Sequence, residues 1–158
     1  MKTNSEWNPD WTSKQGKCEM EETSMHKSRI LIVDDAETHR FILRNIVAEM
    51  GYQPILAESG VQALRVLPRC NPALVLLDIS MPEMDGFEVC RQIKENPDTR
   101  NIPVIFISGF ENSEDIIRVF AVGGEDYVLK PFVPEVVKAR VGVHLKLAEA
   151  MKKLSEIG

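Results

Sequence analysis

The stretch Ala73–Gly86, reading A-L-V-L-L-D-I-S-M-P-E-M-D-G, limits what this chain can fold into more than any other. Five small or apolar residues run without a break into Asp78, and a Pro and a Gly follow within a few positions. An apolar run bounded by turn residues suits a strand buried on both faces, as in a parallel sheet. Asp78 then stands where that strand leaves the core. A carboxylate buried there without a partner is costly, so the rest of the chain must supply one.

The same pattern recurs. Arg29-Ile30-Leu31-Ile32-Val33 reads as a buried strand ending in Asp34-Asp35. A helix follows, with Phe41, Ile42, Ile46, Val47 and Met50 on one side, and Gly51 stops it in the C-cap manner. Gln53–Ala57 reads as a short strand, and Ser59-Gly60 opens a helix carrying Ala63, Leu64 and Leu67, closed by Pro68. After the strand at Asp78, Phe87, Val89, Cys90 and Ile93 mark a helix broken at Asn96-Pro97. Ile102–Ile107 predicts a fourth strand ending in Ser108-Gly109. Glu111-Asn112-Ser113-Glu114 begins a helix with Ile116, Ile117, Phe120 and Ala121, ended by Gly123-Gly124. Tyr127-Val128-Leu129 predicts a fifth strand ending in Lys130-Pro131, and a last helix starts near Pro134. Strand and helix therefore alternate five times, which argues a parallel sheet with helices on both faces.

In such a sheet the carboxyl ends of the strands all meet one edge, where ligands bind. Asp34, Asp35, Asp78, Ser108 and Lys130 would converge there. Three clustered carboxylates repel one another unless a cation is present. All-oxygen ligation suits magnesium (Mg2+), which takes one or two carboxylates plus phosphate oxygen and keeps several waters. Asp35 and Asp78 with the backbone carbonyl of Ser80 would hold the ion, and Asp34 a metal-bound water. Lys130 would pair with Asp78 and then with phosphoryl oxygen, and Ser108 would donate to the same group. Asp78 becomes a credible nucleophile for an acyl phosphate. Taken singly, an Asp or Ser at a strand end is more often a cap or turn residue, and a lone Lys-Pro is usually a solvated lysine. Their joint order along the chain is what points to chemistry.

The chain resembles the receiver domain of two-component response regulators from about Arg29 to His144. The matching pieces are I-L-I-V-D-D at Ile30–Asp35, L-V-L-L-D-I-S-M-P-E-M-D-G at Leu74–Gly86, V-I-F-I-S-G at Val104–Gly109 and Y-V-L-K-P-F at Tyr127–Phe132. The resemblance implies a flavodoxin-like, doubly wound α/β fold with five parallel strands in the order 2-1-3-4-5. It implies magnesium dependence and transfer of a phosphoryl group to Asp78 from a histidine kinase or a phosphotransfer protein. It also implies a switch in which Ser108 moves toward the phosphoryl group and Tyr127 packs inward, remodelling the face of the fourth helix, fifth strand and fifth helix. A cis Lys130–Pro131 bond is implied too. Ser108 stands where the family more commonly has Thr, and Gly109 where it usually has Ala. On this reading the chain catalyses only its own phosphorylation and dephosphorylation and is not otherwise an enzyme.

Three segments are expected: an arm at residues 1–27, a receiver domain at 28–144 and a helical extension at 145–158. The arm is polar, without sustained apolar period, and Pro9 between Trp7 and Trp11 argues against a helix there. In the last helix, Val136, Arg140, Val143, Leu147, Ala150, Leu154 and Ile157 keep a four-three spacing. Two readings stay open: docking on the sheet with a frayed end, or a coiled-coil seam leading to an output domain beyond Gly158. A homodimer would use this helix or the face of the fourth helix, fifth strand and fifth helix.

The formal net charge of -5 gives no reason to expect nucleic acid as a direct partner. No apolar run approaches the ~20 residues of a membrane span, and Met1–Asp10 lacks the apolar stretch of a secretory signal. Cys18, Cys70 and Cys90 are spaced like neither a disulfide framework nor a zinc site, and read as a tail thiol and two packed small residues. A cytoplasmic protein is expected. The rival readings are an Asp-nucleophile magnesium phosphatase of the haloacid dehalogenase type, a flavin or nucleotide module, and a receiver-like scaffold that is never phosphorylated. The first needs its nucleophile on the first strand with a second Asp two residues on. The second needs a phosphate-cradling loop where Asp34-Asp35 stands.

Overall fold

A computed structural model describes residues 28–109 and 112–157. Five strands, β1 (Arg29–Val33), β2 (Gln53–Ala57), β3 (Leu74–Asp78), β4 (Val104–Ser108) and β5 (Asp126–Leu129), form one parallel sheet in the order β2-β1-β3-β4-β5. The helices between and after them are α1 (Glu37–Glu49), α2 (Gly60–Cys70), α3 (Gly86–Glu95), α4 (Ser113–Ala121) and α5 (Pro134–Ile157). This is the doubly wound, flavodoxin-like order that the motifs imply.

The period-two alternation of the strands divides the core into two layers. Leu31, Val33, Val75, Leu77, Val104 and Phe106 point to one face, where α2 and α3 cover them with Ala63, Val66, Leu67, Phe87, Val89 and Ile93. Ile30, Ile32, Leu74, Leu76, Ile105 and Ile107 point to the other, where Leu43, Ile46 and Val47 of α1 and Val137 and Val141 of α5 close over them. Every residue of β3 and β4 is buried. Each fully buried Leu or Ile there stabilises the fold by roughly 1.5–3 kcal/mol.

Local signals start and stop these helices. The side chains of Ser59, Asp85 and Asn112 accept backbone N–H bonds in the first turns of α2, α3 and α4. Gly51 takes φ +92 just past the end of α1, as a C-terminal glycine does. Pro134 is the first residue of α5, where its missing N–H costs nothing.

Several expectations need correction. Phe41 and Ile42 are exposed, and Leu43 takes the buried place between them and Ile46. Pro68 does not close α2, which continues to Cys70 and ends at left-handed Asn71. In α4 only Val119 is buried, while Ile117 is 66% and Phe120 50% exposed. β4 starts at Val104, after Ile102 has closed a turn onto Thr99. Cys70 and Cys90 are both packed in the core, as expected, but Cys70 is disulfide-bonded, whereas Cys90 is free, and burial pushes its thiol up to about 12. Cys18, Trp7, Trp11 and the rest of the arm at 1–27 lie outside the described residues, as do Phe110, Glu111 and Gly158. Among the described residues, no helix is long and apolar enough to cross a membrane.

Candidate functional site

The register of the sheet assembles the site. Val33 of β1 lies opposite Leu77 of β3, so the next residues, Asp34 and Asp78, leave the two central strands side by side. Asp78 lies opposite Ile107, and Ser108 opposite Leu129, which sets Ser108 and Lys130 at the same edge one step farther along. The Lys130 backbone N–H donates to the Ser108 carbonyl at 2.8 Å, fixing where the lysine leaves the sheet. The Lys130–Pro131 bond is cis.

Asp34, Asp78 and Ser108 are buried, while Asp35 is exposed at the rim. Carboxylate oxygens of Asp34, Asp35 and Asp78 lie within 4.8 Å of one another. Lys130 Nζ stands between two of them, 3.4 Å from Asp78 Oδ1 and 3.6 Å from Asp34 Oδ2. One ammonium thus pairs with two of the three clustered carboxylates. The imbalance is visible at Asp78, whose carboxyl is raised from 3.8 to about 6. Burial is the main cause and the Asp34 charge the second, opposed by Lys130 and by a hydrogen bond from the Ser80 backbone N–H.

The donor set fits a hard divalent cation. Asp34 Oδ2 is buried and accepts no hydrogen bond. A further positive charge at this cluster would offset the repulsion that Lys130 leaves, and oxygen-only ligands suit magnesium or calcium over softer metals. Ser80 lies exposed in the loop just past β3, where its backbone is within reach of the Asp78 side chain.

The loop after Asp78 is shaped by backbone contact. Gly86 N–H donates to the Ile79 carbonyl at 2.8 Å, and a Cβ on Gly86 would come 2.2 Å from the Asp78 carbonyl oxygen. Gly109, by contrast, borders open space. Tyr127 lies partly buried on β5 against the α2–α3 layer, with the Arg140 guanidinium 5.9 Å from its ring centre. Arg140 also binds Asp126 Oδ1 at 2.7 Å, and His144 Nε2 lies 2.9 Å from Asp126 Oδ2, so α5 is tied to the start of β5.

Every residue singled out along the strand ends is thus at one edge of the sheet. Two others were not anticipated. His39 and Arg40, in the first turns of α1, both reach Asp34: Nδ1 of His39 to its carboxylate, and Arg40 Nη1 to its backbone oxygen at 2.7 Å. The available signal was their helical position shortly after the Asp pair. A lone His on a helix carries no such meaning by itself.

Comparison with known proteins agrees with this arrangement. The family model described as the response regulator receiver domain matches residues 30–142. A "Probable cyclic di-GMP phosphodiesterase" of Vibrio cholerae is 46% identical over 74% of this chain and 26% of its own length. The "Transcriptional regulatory protein YxdJ" of Bacillus subtilis is 36% identical over 77% of this chain and 52% of its own. The chain therefore spans about half or less of the length of such curated relatives. Among solved structures, the signal receiver domain of a histidine kinase from Syntrophus aciditrophicus superposes with a TM-score of 0.70 at 37% identity, covering 75% of this chain and 90% of that one. With the strand order, the acidic edge and the family match in agreement, the chain belongs to the response regulator receiver domains, the phosphoacceptor signalling domains of two-component systems.

Proposed function

We propose that Asp78 is the phosphoacceptor, with Asp34, Asp35 and Asp78 and the Ser80 backbone carbonyl as the magnesium-binding set. The observation that carries this reading is the cluster of three carboxylates at the ends of β1 and β3, two of them paired with Lys130 from the end of β5. A carboxylate oxygen of Asp78 attacks the phosphorus of a phosphohistidine on a histidine kinase or phosphotransfer protein. The phosphorus–nitrogen bond breaks, the imidazole leaves, and an acyl phosphate remains. When bound, the ion supplies positive charge against the phosphoryl oxygens. Lys130 transfers its pairing from the carboxylate to a phosphoryl oxygen, and the Ser108 hydroxyl donates to another. Water later cleaves the acyl phosphate, so the chain's chemistry is confined to its own phosphorylation and dephosphorylation.

The readout is a population shift. Ser108 and Tyr127 form the switch, and the α4-β5-α5 face changes with them. Coupling on the order of 1–3 kcal/mol suffices to alter partner affinity from several-fold to a hundredfold. Ile117 and Phe120 of α4 and Val136 and Val143 of α5 are exposed apolar side chains on the helices that form this face. Residues 28–144 act as the receiver proper, and 145–158 connect it to an output domain in a longer cytoplasmic regulator. Val143, Leu147 and Leu154 are exposed on α5 while Val137 and Val141 dock, which favours a seam with a second copy over simple docking of the whole helix. Arg140, the polar member of that stripe, is engaged by Asp126.

Incubating the chain with acetyl phosphate, with and without magnesium, tests the reading. It predicts one magnesium-dependent, hydroxylamine-labile phosphoryl group per chain. Sustained turnover of phosphate esters without a labelled protein would refute it.

A further inference from the structure

Besides Lys130, 3.6 Å from its Oδ2, three groups hold Asp34. Its Oδ1 accepts the Ala36 N–H at 2.9 Å, its backbone oxygen accepts Arg40 Nη1 at 2.7 Å, and His39 Nδ1 lies 3.4 Å from Oδ1 and 3.2 Å from Oδ2. The first two contacts fix the backbone and one carboxylate oxygen. Only the imidazole addresses both oxygens, and so the torsion of the carboxylate plane. The ring is itself fixed on its other side, where it meets Phe132 edge-on with centroids 5.7 Å apart. Phe132 packs partly buried against the α1–α5 layer, two residues past Lys130. His39 therefore spans from the acidic edge to the segment that carries the lysine.

We propose that His39 is a positioning residue for Asp34: its Nδ1–H holds the carboxylate so that Oδ2, ion-paired with Lys130 at 3.6 Å but fixed by no hydrogen bond, faces the cation site, and its contact with Phe132 holds the imidazole in place. This rests on Asp34 belonging to the magnesium site. Metal-binding carboxylates depend on the hydrogen bonds that orient them, and removing such partners typically costs 10–100-fold in metal affinity. The plainer role, a ring packed on Phe132, would need no nitrogen at that position.

Three variants separate the two roles. His39→Phe keeps a ring on Phe132 and removes the N–H. His39→Asn places an amide N–H near where Nδ1 stands, and His39→Gln carries it one bond farther. Magnesium affinity is measured by calorimetry on the metal-free full chain, with thermal unfolding of the same metal-free samples. The expected result is on the order of 10-fold weaker magnesium binding in H39F and H39Q, binding within about threefold of wild type in H39N, and unchanged metal-free melting for all three. Binding by H39F as tight as wild type or tighter overturns the proposal. Should H39F not fold, equal affinities for H39N and H39Q overturn it as well. Asp35→Asn serves as the control for the site itself: if it binds magnesium like wild type, the metal-site reading fails whatever the His39 variants do.

Discussion

The Asp78 carbonyl oxygen occupies the space that a Cβ on Gly86 would need, at 2.2 Å. This contact presses the start of α3 onto the end of β3 and sets the path of the loop that borders the acidic edge. Gly86→Ala must push that loop away, at about 3 kcal/mol. Gly109, whose Cβ would meet nothing, should accept Ala within about 0.5 kcal/mol. Urea unfolding of both variants checks the contrast, and equal stabilities would contradict the account.

Charge around Asp78 sets its proton affinity in opposite directions. Asp34 raises it and Lys130 lowers it, beneath the larger effect of burial. In metal-free protein, Asp34→Asn should move the Asp78 carboxyl below about 6, and Lys130→Met should move it above. Carboxyl carbon NMR titration reads both shifts. A downward shift in Lys130→Met would show that the lysine does not face this carboxylate.

The raised carboxyl also costs stability. Folded Asp78 keeps its proton up to about pH 6, against 3.8 as the ordinary value. Between these values the folded state binds more protons, so this group's contribution falls as pH rises through the window and stays low above it. Asp78→Asn should therefore stabilise the magnesium-free protein by on the order of 1–3 kcal/mol near neutral pH. The advantage should shrink toward pH 4. Denaturant unfolding at both pH values tests it, and a destabilised variant at pH 7 would contradict the sign.

The exposed stripe of α5 makes a prediction about association. Sedimentation of the full chain should reveal a dimer that is lost on truncation after His144 or on Leu147→Asp. Melting of the remaining domain should be unaffected, because Val137 and Val141, which dock α5, are retained. Identical monomers for all three proteins would remove the seam.

Much of this was legible in the sequence, for a physical reason. A parallel strand buried on both faces is an unbroken apolar run, so the residue where the run ends is easy to find, and Asp34, Asp78, Ser108 and Lys130 are such residues. Helix faces were harder. Phe41, Ile42 and Leu43 are adjacent apolar residues, and the position of the sheet, which periodicity does not contain, decides that Leu43 turns inward. Ile117 and Phe120 follow a helical spacing yet stay exposed, because Val119 alone meets the core. Pro68 reads as a stop in the sequence, but near the end of α2 it forfeits only a bond the last turn can spare. His39 and Arg140 were invisible as partners, since their contacts with Asp34 and Asp126 depend on how helices lie against the sheet.

The central claim is chemical, and chemistry can locate it. The full chain, phosphorylated with acetyl phosphate and magnesium, is reduced with borohydride, which converts an aspartyl phosphate to homoserine, and then mapped by peptide mass spectrometry. The account predicts homoserine at position 78 alone, and none in Asp78→Asn. Homoserine at Asp34 or Asp35 instead, or an unmodified Asp78 in stoichiometrically phosphorylated protein, would contradict it.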